Sequence, residues 1–360
     1  MTTHSAAPPR ESWPWIVGAV AIWVVMSLAG PPSSMPVDPG PFTGAVRLDT
    51  DIHRGRYGGW VVGTTEMGPL LVEVEADASR GDVLEVVGTV SGEPGVAGGR
   101  TYRGVLSVQR VVAVTASDFL PHRAGRAVRA GVMRRLEPFD DSRGLLAGFL
   151  IGDVSRIPDT DVQAMRRSGL AHFVAVSGSN VALFLALLAI VAGPLAMGPR
   201  RRAVLGLAGL PVYAAATGFE PSVMRASVMA GLALAGRLTG IVLEAWQLLS
   251  LGVAGLVIYD PGLTANVGFQ LSVVATAGVL VGARWPTRGL VRRALAVTAG
   301  AQLAVAPLLL LHFGSVPLMS PIVNLVAAPL VTAATTLGAV GVAGVIPLIG
   351  PAAWLADLVL

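Results

Sequence analysis

The sequence predicts a polytopic α-helical membrane protein with a small all-β (OB-like) barrel held outside the bilayer, and three observations carry that prediction. Hydrophobic residues make up 53% of the chain and charged residues 13%, with a mean hydropathy of +0.67, whereas soluble domains carry about 25% charged residues. Apolar runs near the length needed to cross the hydrocarbon core recur from His172 onward. Between about Phe42 and Thr115 the pattern changes to short β-branched stretches punctuated by glycine, which reads as strands and turns.

The first element, residues 1–31, is expected to be a transmembrane helix. Its apolar run from Trp13 to Gly30 follows Arg10 and ends at Pro31-Pro32. The run is long for the core of a signal peptide, and its Trp residues sit at the ends as interfacial anchors do.

Residues 42–118 form the expected barrel. Trp60–Val62, Leu70–Val74, Val83–Val90 and Val105–Val112 are the clearest strands, and about five short strands in so few residues suit a small closed barrel. Single-stranded DNA is one expected ligand: Arg47, Arg54, Arg56, Arg100 and Arg103 would contact backbone phosphates while Tyr57, Trp60 and Tyr102 offer stacking platforms. The competing reading is a barrel that only packs on the membrane part, with those aromatics in its core. Acidic residues outnumber arginines in this region, so no basic footprint favours DNA.

Residues 121–168 are expected to be amphipathic and interfacial. Ala124, Val128, Val132 and Leu136 share a helical stripe opposite Arg123, Arg126 and Arg134, with Arg135 breaking the stripe. Lipid phosphate is the favoured partner of these arginines. Gly144 to Gly152 is apolar but too short to span, which suits a re-entrant or interfacial segment whose backbone is covered by protein or water.

Residues 169–360 form the multi-helix membrane region. Apolar runs fall at about 172–193, 203–218, 222–238, 242–258, 263–282, 294–312 and 316–347, the last expected to divide near Ala327–Pro329 into two helices, for roughly eight spans in all. With the N-terminus in the cytoplasm, alternation puts the barrel outside and brings Arg200–Arg202, Arg237, Arg284, Arg288, Arg292 and Arg293 to the cytoplasmic side, as the positive-inside rule requires. The exceptions are Arg166-Arg167 and Arg225.

Polar residues punctuate these runs. His172, Ser177, Gly178, Ser179 and Asn180 open the first of them; Ser222 and Arg225 lie one turn apart after Pro221; Gln270, Ser272, Gln302 and Asn324 interrupt later helices. Such residues are costly in hydrocarbon unless they meet partners or water. They either hold helices together, at about 1 kcal/mol each, or line a water-filled path. Arg225 would pair with Glu220 or another carboxylate in the first case and offer its guanidinium to a phosphate in the second.

The segment from Gly169 through Leu170, His172, Ala175, Ser177 and Gly178 to Asn180 resembles the signature of the ComEC family of DNA-uptake channels, where the last position is His or Asn. The stretch Leu145…Gly152-Asp153…Ile157-Pro158, the Pro221-Ser222-x-x-Arg225-Ala226 motif, Asp260-Pro261, Phe269-Gln270-Leu271-Ser272 and the later series Gln302, Pro307, Phe313, Ser320, Asn324, Pro329 extend the resemblance. Gly81-Asp82 leading into Leu84–Val86 and Gly88 resembles an OB-fold strand, and an OB domain before the channel is what the family implies. So are partners: single-stranded DNA, a DNA-receptor protein, a cytoplasmic translocation ATPase, a separate nuclease and membrane lipid, with homo-oligomerisation open. Many family members continue into a metallo-β-lactamase-like domain; here His4, His53, His122, His172 and His312 are scattered singly and no H-x-H-x-D-H cluster occurs.

The expected role is therefore passage of single-stranded DNA across the cytoplasmic membrane. No catalytic site, cofactor or metal is expected: the chain lacks Cys and Lys, which removes thiolate chemistry and a phosphate-binding loop ending in Gly-Lys-Ser/Thr. A secondary transporter for a small solute and a truncated, inactive relic are the alternatives.

Overall fold

The structure, a computed structural model, describes residues 36–359 apart from 56–57, 98–99, 140–142, 155, 175, 194–195 and 318. The expected helix over 1–31, together with Arg56 and Tyr57, lies outside the described residues.

The barrel is built from β1 (Gly40–Leu48), β2 (His53–Gly55), β3 (Gly58–Thr65), β4 (Gly68–Glu73), β5 (Val83–Ser91) and β8 (Val105–Thr115), with β6 (Gly95–Ala97) and β7 (Arg100–Tyr102) forming a separate hairpin. Sheet order is β1-β5-β8-β4-β3-β2, and a further β1–β3 pairing at Arg47↔Thr64 and Leu48↔Gly63 closes five of the strands. The β4–β8 pair is parallel and the others are antiparallel. Gly63 is required at the closure, because a Cβ there would press on Val46 and the Arg47 carbonyl. Alternation decides the interior: Leu84, Val86 and Val90 point inward along β5 while Glu85 and Thr89 face water. Val46, Leu48, Val61, Leu70, Val72 and Leu106 complete an aliphatic core with Phe42 as its aromatic member. Trp60 and Tyr102 are only half-buried and outside that core.

Helix α1 (Leu120–Leu136) follows the barrel. Its inward stripe is Gly125, Val132 and Leu136, with Val128 exposed, so the expected stripe holds at Val132 and Leu136 and is corrected at Val128. Gly125 packs on the backbone at Ala215-Ala216, a close approach that no larger residue permits. Arg126 and Arg129 consequently turn to carboxylates, pairing with Asp82 at 2.8 Å and Asp153 at 3.1 Å; Arg123, Arg134 and Arg135 remain exposed.

Helix α2 (Arg143–Ile151) is buried from Gly144 to Ile151, with Leu146 and Phe149 fully enclosed. It is a buried helix of the helical body, and its backbone is covered by protein. Then come α3 (Asp159–Ser168), α4 (Ala171–Val174), α5 (Gly178–Val191), α6 (Pro199–Ala216), α7 (Pro221–Thr239), α8 (Ala245–Tyr259), a 3-10 turn (Pro261–Ala265), α9 (Val267–Gly282), α10 (Leu290–Phe313), α11 (Ser320–Ala343) and α12 (Ile349–Asp357). The helix expected to break at Pro329 runs through it; a proline inside an apolar helix is tolerated where neighbouring groups take up the freed carbonyl.

Among the described residues, three stretches are long and apolar enough to cross a membrane, His172–Ile190, Leu290–Phe313 and Ile322–Ala343, the first of them taking in both α4 and α5. Helices α8 and α9, at 15 and 16 residues, are shorter apolar helices, and α6 carries three arginines in its first turn. Small residues let α9 and α10 touch: Gly278 and Gly282 lie on the backbone of Ala296 to Ala301, the close approach that membrane helices use in place of a hydrophobic driving force.

Candidate functional site

Chain direction gives the helical body two unlike ends. The barrel meets the α6–α7 turn, where Arg80 lies over the Phe219 ring at 4.6 Å, and the turn after α8, where Arg100 Nη2 pairs with Asp260 Oδ2 at 2.5 Å. Arg200–Arg202 open α6, Arg237 closes α7, and Arg284 and Arg288 follow α9. Each of these clusters therefore sits at the end of its helix remote from the barrel.

The signature motifs gather at the barrel end. The apolar run that begins at His172 does not form one helix: α4 ends at Val174 and α5 begins at Gly178. Two carbonyls freed near this interruption find partners across the body. Ser222, in the first turn of α7, donates to the Val176 carbonyl at 2.6 Å, and Asn180 Nδ2 donates to the Phe149 carbonyl in the last turn of α2 at 2.7 Å. The latter satisfies a carbonyl that a helix end leaves unpaired. Ser177 and Ser179 hydroxyls bond to each other at 2.6 Å. His172 Nδ1 lies 2.9 Å from the Gly169 carbonyl, and Gly169, at φ +79°, packs on Ser320 and Pro317.

Arg225 is buried, with 6% of its surface exposed. Its Nε donates to Ser272 Oγ at 2.9 Å and one Nη lies 3.3 Å from Met229 Sδ. The expected carboxylate is not among these partners, so the pairing with Glu220 is corrected: Glu220 precedes the helix, whereas Arg225 points inward from its second turn. The spacing of Ser222 and Arg225 does bring both to the interruption, since Gly178 lies against Arg225 and Ala226.

The amides act as ties. Gln270 Nε2 donates to the Thr264 carbonyl at 2.6 Å and its Oε1 lies 3.1 Å from His312 Nε2, joining the start of α9 to the end of α10. Gln302 Nε2 reaches the Pro317 carbonyl at 3.3 Å. Asn324 Nδ2 donates to Ser320 Oγ at 3.1 Å, while its buried Oδ1 accepts no hydrogen bond.

The described barrel candidates are spread over several strands. Arg47 is exposed on β1 and Arg54 lies in β2; Trp60 is on β3 opposite Glu73; Tyr102 is in β7, and Arg103 donates to the Met67 carbonyl at 2.9 Å. Arg100 is engaged with Asp260 and so serves the junction.

That junction was not foreseen from the sequence. Asp51, Ser79, Arg80, His122, Arg126, Arg129, Ala215 and Phe219 line a crevice between the barrel, α1 and the α6–α7 turn. Burial and the neighbouring Arg100 lower the Arg80 guanidinium from its usual value, and burial with Arg80 and Arg126 lowers the His122 imidazole. Asp82 is the tie: its carboxylate accepts from the Ser79 and Ser117 amides and from Arg126. Gly81, at φ +88°, lies against His122 with no room for a side chain. The Gly81-Asp82 pair was the available signal, read only as a strand start. Among the described residues, no group of three or more His, Asp or Glu is placed to hold a metal.

Residues 149–360, more than half of the chain, match the family described as Competence protein. ComE operon protein 3 of Bacillus subtilis (strain 168) is 30% identical over 202 residues, covering 56% of this chain and 26% of that protein. Competence protein ComA of Neisseria gonorrhoeae is 32% identical over 203 residues, covering 52% and 28%. Uncharacterized protein YcaI of Escherichia coli (strain K12) is 29% identical over 224 residues, covering 56% and 29%. The matched region thus spans under a third of the length of each of these relatives. No solved structure matches. This chain belongs to the Competence protein family, of ComEC type.

Proposed function

We propose that this member of the competence family passes single-stranded DNA across the cytoplasmic membrane as a non-catalytic conduit, with its barrel, of OB type, on the outer face. The observation that carries the reading is the gathering of Ser177 to Asn180, Ser222, Arg225 and Ser272 around an interrupted apolar segment at the barrel end, while the arginine clusters of α6, α7 and the α9–α10 turn occupy the other end. Irregular backbone is tolerated at membrane depth where protein or a water-filled cavity covers it, and arginine clusters favour the cytoplasmic side. The names of the Bacillus and Neisseria relatives support a place in DNA uptake.

The order β1-β5-β8-β4-β3, closed by β1–β3, supports an OB-type barrel. A polyanion moves through such a body only if each phosphate is held weakly, and the sparse intramembrane charge suits that. Energy, nuclease activity and delivery of the strand then fall to partners: a translocation ATPase, a separate nuclease and a DNA receptor.

The test combines topology and transport. Reporters fused after Arg202 and after Arg293 should read cytoplasmic and one within residues 95–100 external. The chain reconstituted in liposomes should pass a labelled single-stranded oligonucleotide and exclude its duplex. A cytoplasmic barrel, or passage of small solutes with no passage of oligonucleotide, would overturn the reading.

A further inference from the structure

We infer that Arg225 and the N-terminus of α5 form a seat for one backbone phosphate of the passing strand. The inference rests on the conduit reading above and adds to it the group that holds the ligand.

Three observations meet at this place. Arg225 is a cation with 6% of its surface exposed, and its partners are a hydroxyl and a thioether, neither of which neutralises it. A buried cation is retained where an anion balances it. Its remaining nitrogen, Nη2, lies 3.4 Å from where a Cβ on Gly178 would sit. Gly178 is the first residue of α5, a helix of 14 residues whose N-cap Ser177 makes no side-chain cap. The Asn180 amide is bonded to the Ser177 carbonyl at 3.0 Å, which leaves the Gly178 and Ser179 amides for another acceptor, and the helix dipole favours negative charge there.

The geometry suits a phosphodiester. One face of the guanidinium is fixed by Ser272, the free nitrogen is turned to the helix start, and the lack of a side chain at Gly178 lets that helix start come close to it. The Ser177 and Ser179 hydroxyls, bonded to each other at 2.6 Å, stand beside it as further donors. One cation and a helix end, without a cluster of arginines, give a hold weak enough to release the strand. The seat also lies at the α4–α5 interruption, where the Val176 carbonyl is already taken by Ser222.

The measurement is equilibrium binding of a labelled single-stranded oligonucleotide to the whole chain in phosphatidylcholine nanodiscs across a salt series. Arg225→Gln should weaken binding roughly tenfold and make the slope of log K against log salt shallower by about 0.7, the loss of one phosphate contact. Arg225→Lys should keep the slope. Gly178→Ala keeps Arg225 but puts a methyl group at the seat, 3.4 Å from Nη2 and 3.2 Å from the Ala226 Cβ, and it should reduce the slope as Arg225→Gln does. An unchanged slope in folded Arg225→Gln protein overturns the seat, whatever happens to thermal stability. So does a stabilisation by phosphatidylglycerol nanodiscs that requires Arg225 while oligonucleotide binding does not, which assigns the residue to a lipid headgroup. Absence of oligonucleotide binding by the unaltered chain would instead sink the conduit reading itself.

Discussion

In the barrel, Val46, Leu70, Leu84 and Leu106 are fully buried and the charged residues of the same strands face outward. In α10 and α11 the arrangement is reversed: Leu303, Leu310, Leu311, Ile322 and Val326 are exposed, and the buried positions are mostly small or polar, such as Ala296, Gly300, Ala334, Thr335 and Ser320. The barrel excludes water from its apolar side chains, so its large residues go inside. For the helical body lipid is as apolar as leucine, so close backbone approach and hydrogen bonds between helices carry the packing instead. The same sequence therefore uses leucine as core in one region and as exposed apolar surface in the other. Where the two meet, ionic and aromatic contacts through Arg80, Arg100, Arg126 and Asp82 do the joining.

The sharpest way to break this comparison is one substitution made in both regions. Leu70→Ala, at a fully buried barrel position, should cost about 2–5 kcal/mol of stability, seen as early proteolysis of the barrel in detergent. Leu311→Ala, 76% exposed on α10, should change thermal stability by less than about 0.5 kcal/mol. Equal losses would mean that α10 is packed against protein and that the contrast is false.

A smaller effect is expected from the hydrogen bonds that replace hydrophobic packing in the helical body. Asn180→Leu keeps the side chain's size but leaves the Phe149 carbonyl without its donor, and it should cost about 1 kcal/mol, read as a lowered unfolding temperature. Ser179→Ala, which removes only the exposed contacts of its hydroxyl with Ser177 and with Asn180 Oδ1, should cost less. A stabilised Asn180→Leu protein would show that apolar packing governs this region as well.

The smallest effect belongs to the junction. The His122 imidazole is held below its ordinary value by burial and by Arg80 and Arg126, against the opposing pull of Asp82 and Asp51. A base whose folded value is lowered binds its proton more readily when unfolded, so its contribution to stability is present above the unfolded value near 6.5 and is lost as pH falls through the folded one. The unfolding temperature should therefore drop more between pH 7.5 and 5.5 in the unaltered protein than in His122→Gln. Identical drops would remove His122 from the forces that hold barrel to helices.

Much of this was legible in residues. The strands over Val83–Val90 and Val105–Val112 follow from alternation, because a strand between water and a core repeats every second residue. Helices α6 to α9 follow from apolar runs with breaks at Gly218–Pro221, Gly240 and Asp260-Pro261. The motif residues Ser177, Gly178, Ser222, Arg225 and Ser272 were all singled out, and the structure brings them together. Pairing was not legible. For Arg225 the sequence leaves Glu220, another carboxylate and a phosphate all open, because charge predicts that a partner is needed and says nothing of which direction the side chain leaves its helix. The stripe of α1 holds at Val132 and Leu136 and departs at its first half, where Gly125 is buried against Ala215 and Val128 is exposed.

The sequence by itself determined that this is a chain of two solvents, with a β-patterned part for water and apolar helices for lipid, because hydropathy and periodicity are local properties summed along the backbone. It also determined the order of the arginine clusters along the helices. Tertiary structure alone decided that the long apolar run at His172 is interrupted, that α2 lies in the core, and that Arg225 faces Gly178 and Ser272. Each of these depends on contacts between residues 31 to 47 positions apart or more, and no local pattern records which distant carbonyl or hydroxyl will be near enough to compensate a polar group taken out of water.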